Sequence, residues 1–137
     1  MLVTNYPEQT PANLPPGIEV FGYLPFSKLL PRSALLVYHG GIGTLAQGIK
    51  AAVPHLVVPH AHDQFDNAWR LRRLGLGESI PIGSYRSPRA ARAILRLTSN
   101  AGAAQCRRDH ALRVDSNAAL ERAADLLEQL HATGHAA

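Results

Sequence analysis

Short apolar runs alternate along the chain with stretches whose apolar residues recur at spacings of three and four. That alternation of strand-like and helix-like patterns predicts an α/β domain built on a parallel sheet. Leu2-Val3-Thr4 reads as the end of a strand, and a loop carrying Pro7, Pro11, Pro15 and Pro16 follows it. A second strand is expected over residues 18–23. Residues 26–30 predict a short helix that stops before Pro31, where the missing N–H and the ring end a helix. The near-continuous apolar run 34–38 has strand length and the pattern of a strand buried on both faces.

Residues 44–52 predict a helix with Pro54 beyond its end, and 55–59 the next buried strand. Residues 64–74 predict a helix with Phe65, Ala68, Trp69 and Arg72 on one face, ended by Gly75. A short strand is expected over 78–81. From Ser87-Pro88, a serine cap with proline at the first helical position, the chain reads as helical almost to its end. Its most regular part, 118–130, aligns Leu120, Ala123, Ala124, Leu127 and Leu130. No internal repeat, linker or second domain is visible, so 137 residues form one domain with enough burial for a core.

Composition narrows the function classes. Hydrophobic residues make up 46% of the chain, which excludes intrinsic disorder. No apolar run approaches the roughly 20 residues that a membrane span needs. The opening residues, Met1 to Pro7, lack the basic leader and apolar stretch of a signal peptide. A single cysteine, Cys106, excludes an internal disulfide and a cysteine-built zinc site, and a cytoplasmic location is expected. The net charge of +4 raises nucleic-acid binding as a reading. Aromatics are only 6% and do not interleave with the arginines of 70–122 as base stacking requires, so solvated helix faces explain the charge. A basic surface of this kind also suits peripheral contact with anionic lipid.

The most informative segment is Tyr38-His39-Gly40-Gly41-Ile42-Gly43-Thr44-Leu45-Ala46-Gln47. It leaves a buried strand and opens a helix. Glycines permit a tight turn and close approach of a ligand, and the free N–H groups of a helix N-terminus favour a phosphate. His39 stands at the carboxyl end of its strand, where open α/β sheets bind ligands. A merely tight β–α turn would account for one or two glycines, not for three beside a histidine. Two other readings compete. Gly41-Ile42-Gly43-Thr44-Leu45-Ala46 fits the G-x-G-x-x-A dinucleotide fingerprint with Asp63 about 20 residues on, yet no hydride-transfer site follows. His60, His62 and Asp63 resemble part of a metal site, but a catalytic metal needs more ligands and an open position. His39 is the only other histidine near it, since His110, His131 and His135 fall on late helical or tail segments. No G-x-S-x-G nucleophile motif is present, and Cys106 lies in a basic helical stretch.

His39-Gly40-Gly41-Ile42-Gly43-Thr44, Val53-Pro54, Val58-Pro59 and Asp63-Gln64-Phe65-Asp66-Asn67-Ala68 together resemble the donor-binding signature of GT-B glycosyltransferases. The resemblance covers most of the chain and is closest to bacterial members related to rhamnosyltransferases and sterol glucosyltransferases. It implies a Rossmann-like, mostly parallel sheet flanked by helices, one half of a GT-B fold. The substrate it implies is a nucleotide sugar, such as a UDP- or dTDP-sugar, passed to an acceptor hydroxyl with no cofactor and no metal. By position, His39, Gly41, Gly43 and Thr44 would receive the donor diphosphate. Gln47, Tyr23 and Phe26 would meet the ribose and base, and Asp63 and Gln64 the sugar hydroxyls.

Departures from the family pattern accompany these roles. Gln47 stands where plant members have a glutamate, Tyr23 where relatives often carry tryptophan, and Phe26 where many carry glutamine. The resemblance also implies an N-terminal acceptor domain holding the general base, so no catalytic residue is expected in this chain and the chain alone is expected to be inactive. The domain's own first strand and helix have no counterpart in 1–137. With the usual order 3-2-1-4-5-6, the strand ending at Thr4 and the strand ending at Tyr38 would then face a gap. Either these strands close up or another chain fills the space, with self-association the favoured outcome.

Overall fold

The computed structural model describes residues 1–134, so His135 lies outside the described residues. In chain order the elements are β1 (Leu2–Val3), β2 (Val20–Phe21), α1 (Phe26–Leu29), β3 (Leu36–Tyr38), α2 (Ile42–Lys50), β4 (His55–Val57), α3 (Gln64–Arg73) and β5 (Gly77–Ser79). Three helices follow: α4 (Ser87–Ser99), α5 (Ala101–Ala111) and α6 (Ser116–Gly134). Every strand pairing is parallel, as the alternating pattern predicts. The strands form two separate sheets, β1-β2 and β3-β4-β5.

Strand β4 is the centre of the core. All three of its residues are buried, and its alternating side chains feed opposite layers. Val57 packs with Leu45, Ala68, Leu71 and Leu76 on one side. Leu56 packs with Ile80, Ala93 and Leu97 on the other. Helices α2 and α3 thus cover one face and α4 the other, which is the sandwich a parallel sheet requires.

Several expectations from sequence are corrected. The run 34–38 is not buried on both faces: Val37 is 43% exposed, because β3 is the edge of its sheet and nothing pairs with its outer side. Helix α1 does end before Pro31, but the chain continues as a 3-10 turn, Leu30–Arg32, in which proline occupies the start and its missing N–H is harmless. The buried residues of α3 are Asn67, Ala68 and Leu71, whereas Phe65 and Trp69 stand about half exposed. Trp69 is instead covered by the Arg73 guanidinium, 4.7 Å from its ring centre.

The C-terminal stretch is three helices, not one. Ser87 is the first helical residue of α4 and makes no capping hydrogen bond. Asn100 breaks the run and caps α5 by accepting from the Ala103 N–H at 3.0 Å. Asp115 does the same for α6, accepting from Asn117 and Ala118, both at 3.0 Å. The apolar stripe expected on the last helix exists, but Leu120, Leu127 and Leu130 are exposed on it. Among the described residues no helix is long and apolar enough to cross a membrane.

Candidate functional site

The glycine loop joins β3 to α2 at the carboxyl end of the sheet, and its shape follows from its neighbours. Gly40 has a left-handed φ of 99°, and a Cβ there would come within 2.7 Å of Val57 Cγ1. Only glycine fits that turn. The Gly40 carbonyl accepts a hydrogen bond of 3.0 Å from the Asn67 side chain, which ties the loop to α3. Gly41 caps α2 without a side-chain bond. A Cβ at Gly41 would meet His39 Nε2 at 2.6 Å, so the glycine makes room for the imidazole that lies over the helix start.

Helix α2 begins its own hydrogen bonding with the Leu45 N–H to the Gly41 carbonyl, 3.0 Å. The N–H groups of Ile42, Gly43 and Thr44 precede that bond, and the open space at Gly43 exposes them. They are donors at the positive end of the helix dipole, where an anion is stabilised. His39 is exposed beside them, and both His39 and Thr44 line a cleft of about 380 Å³ that runs back along β3.

Asp63 and Gln64 lie at the start of α3, adjoining the same loop. Asp63 accepts at 2.7 Å from the Asn67 amide group that also holds Gly40. Asn67 is therefore shared between the glycine loop and the aspartate. Gln64 Oε1 accepts from the N–H groups of His60 and Ala61 at 2.8 and 3.1 Å. That leaves the other Asp63 oxygen and the Gln64 amide nitrogen to meet a ligand. Asn67 escaped the sequence reading, although it stands one turn after Asp63, where a side-chain amide can bond back to it. In the dinucleotide reading Asp63 would close the strand after the loop. Here β4 ends at Val57 and Asp63 opens α3.

Phe26 and Gln47 meet in a neighbouring pocket of about 380 Å³, with Lys50, Ser27 and Ser116 also on its walls. Tyr23 is 81% exposed and lines no part of it. Gln47 follows Thr44 by one helical turn, so ligand groups bound at the two positions are about 4.5 Å apart along the axis. His60 and His62 are exposed, His62 with a left-handed φ of 55°. Among the described residues no group of three or more histidine, cysteine, aspartate or glutamate side chains gathers as a metal site.

Beneath the loop, Tyr38 and His55 are joined across β3 and β4 by a hydrogen bond of 3.0 Å between the hydroxyl and Nδ1. Burial, with the nearby Arg107 guanidinium adding to it and a backbone contact at Gly48 opposing it, pushes His55 down to about 4. Burial alone pushes the Tyr38 hydroxyl above its ordinary range. Both are neutral near pH 7 and form part of the support of the loop, not of its chemistry.

Residues 2–130 match the erythromycin biosynthesis protein CIII-like C-terminal domain. The chain belongs to that family. Among curated relatives, the oleandomycin glycosyltransferase of Streptomyces antibioticus is 31% identical over 122 residues, which cover 87% of this chain and 28% of the relative. The solved glycotransferase of kitacinnamycin superposes with a TM-score of 0.77 at 31% identity, over 88% of this chain and 31% of its own. The glycosyltransferase VinC, solved in complex with dTDP, gives a TM-score of 0.68 at 26% identity over 73% of this chain and 25% of its own. This chain thus spans about a quarter to a third of the length of the proteins it resembles. The family is one of GT-B glycosyltransferases, and the parallel fold seen here is the C-terminal, donor-side part of it.

Proposed function

We propose that residues 1–137 bind the nucleotide-diphosphate sugar of a glycosyltransferase reaction, with a UDP- or dTDP-sugar as donor and no cofactor. The observation that carries this reading is the set of unpaired Ile42, Gly43 and Thr44 N–H groups beside an exposed His39, on a loop that Asn67 holds in place. A diphosphate fits donors of that kind, and they would strengthen as charge develops on the departing diphosphate. Phe26 and Gln47 sit where the nucleoside would follow, with Tyr23 at the exposed margin, while Asp63 and Gln64 receive the sugar hydroxyls. Inversion or retention at the sugar, and deprotonation of the acceptor, fall to residues outside 1–137. A cytoplasmic location, with arginine-bearing helices able to meet anionic lipid, belongs to the same reading.

Isothermal titration separates this function from a dinucleotide-dependent one. UDP and dTDP are expected to bind the purified chain measurably, uridine at least tenfold more weakly, and NAD not at all. Tighter binding of NAD than of either diphosphate would overturn the proposal.

A further inference from the structure

The two sheets do not meet. Leu2 and Val3 of β1 and Leu36 and Val37 of β3 line the same cleft of about 380 Å³, with Leu29 from α1 among its other apolar walls and no charged side chain on it. The backbone on both sides is left unpaired in a matching way. In β1 the N–H groups of Leu2 and Thr4 bond towards β2, to the carbonyls of Glu19 and Phe21 at 2.8 and 2.9 Å. Val3 therefore presents its N–H and C=O to the cleft, since successive residues of a parallel strand alternate in direction. In β3 the Leu36 N–H bonds to the Pro54 carbonyl and the Tyr38 carbonyl accepts from Val58, both towards β4. Val37 consequently faces the cleft with both its groups.

We infer that this cleft accepts one extended, uncharged, apolar strand from a polypeptide segment other than residues 1–137, which joins the two sheets and completes the wall beside His39 and Thr44. Unpaired backbone groups walled by apolar side chains are costly, and a strand added between two edges satisfies both at once. Five residues, the length of 35–39, span about 16 Å at strand rise. A second copy of this chain suits the space poorly. The free edges of β1 and β3 face one another, so the entrant must be a single strand thick. In a second copy, β3 has β4 behind it, and β1 and β2 are already paired with each other. The same cleft reaches His39 and Thr44, so a strand seated in it would border the loop proposed to hold the diphosphate. That last step rests on the donor-site reading; the strand slot itself does not.

The test is amide hydrogen exchange on the full chain, read residue by residue with and without a seven-residue peptide of five valines between terminal lysines. Alone, the Val3 and Val37 amides exchange quickly while Leu36 is protected. With saturating peptide, Val3 and Val37 slow at least tenfold at one peptide per chain, and a peptide N-methylated at alternate residues has no such effect. Protection of both amides in the monomer without peptide would show the sheets closing on themselves and overturn the inference. So would protection that rises with protein concentration, which makes a second copy the occupant, or no protection with peptide at all. UDP affinity, titrated separately, rises at least threefold in the peptide-saturated chain. Protected amides with unchanged UDP affinity would remove the link to the loop. Protected amides in a chain that never binds UDP would sink the donor-site reading and leave the slot standing.

Discussion

The side-chain amide of Asn67 donates from one nitrogen to two acceptors, the Gly40 carbonyl at 3.0 Å and Asp63 Oδ2 at 2.7 Å. This buried group fixes the position of the glycine loop relative to the start of α3, and so the distance between the groups proposed to hold phosphate and sugar. Asn67→Ala leaves the Gly40 carbonyl without its partner and is expected to lower stability by about 1–3 kcal/mol. Asn67→Asp is expected to cost more, since it sets a third oxygen against two acceptors. Urea midpoints for the two variants check the order, and equal losses would mean that the amide serves only to fill space.

His55 makes stability depend on pH. Its folded value of about 4 lies below the ordinary 6.5, so the unfolded chain binds the proton first. Stability from this residue is complete above about pH 6.5, falls as the pH drops through the window between 6.5 and 4, and levels off below that. The full difference is about 3 kcal/mol at 1.36 kcal/mol per unit. His55→Gln is expected to flatten that part of the profile, measured by denaturant melts between pH 4 and 7. An unchanged slope would assign acid sensitivity to the carboxylates instead.

Much of the fold was legible because parallel strands are read from continuous apolar runs, and β4 supplied the clearest of these. The glycine loop was legible for a different reason: Gly40 and Gly41 occupy positions where a Cβ meets Val57 or His39, and such demands leave a mark in sequence. The face of α3 was misread because Asn67, a polar residue, is buried through its hydrogen bonds while Phe65 and Trp69 are left outside, against the usual weighting. The breaks at Asn100 and Asp115 carried recognisable capping residues that the helical periodicity around them concealed. The exposure of Val37 depends on what lies beside β3 in space, which no local pattern records.

His39 gives the sharpest test of the phosphate assignment. Its ring lies over Gly41 at the start of α2, next to the unpaired amides, and no part of the chain pairs with it among the described hydrogen bonds. His39→Ala is expected to weaken UDP by roughly 1.5–3 kcal/mol, the value of a charge-assisted hydrogen bond, which is about 10- to 100-fold. Binding of uridine should change little. Calorimetric titration of both ligands against both proteins decides it, and a proportionate loss for uridine would make His39 a structural residue.

Asp63 separates sugar recognition from phosphate recognition. One of its oxygens is held by Asn67, so the side chain is oriented before any ligand arrives, and the other is free to accept from a sugar hydroxyl. A carboxylate accepting such a bond favours the intact nucleotide sugar over the bare diphosphate, which has no hydroxyl to offer at that point. Asp63→Asn removes the charge and keeps the shape, so it is the cleaner variant. It is expected to weaken the nucleotide sugar by about 1.5–3 kcal/mol while leaving UDP or dTDP within a factor of about two. A metal site at His60, His62 and Asp63 predicts a different outcome, because loss of a carboxylate ligand would release the ion. Elemental analysis of freshly purified protein, done beside the titrations, tells the two apart: stoichiometric zinc or iron that disappears in the variant would overturn the sugar role. An equal fall in affinity for sugar-bearing and bare diphosphates would place Asp63 in support of the loop, acting through Asn67 and Gly40.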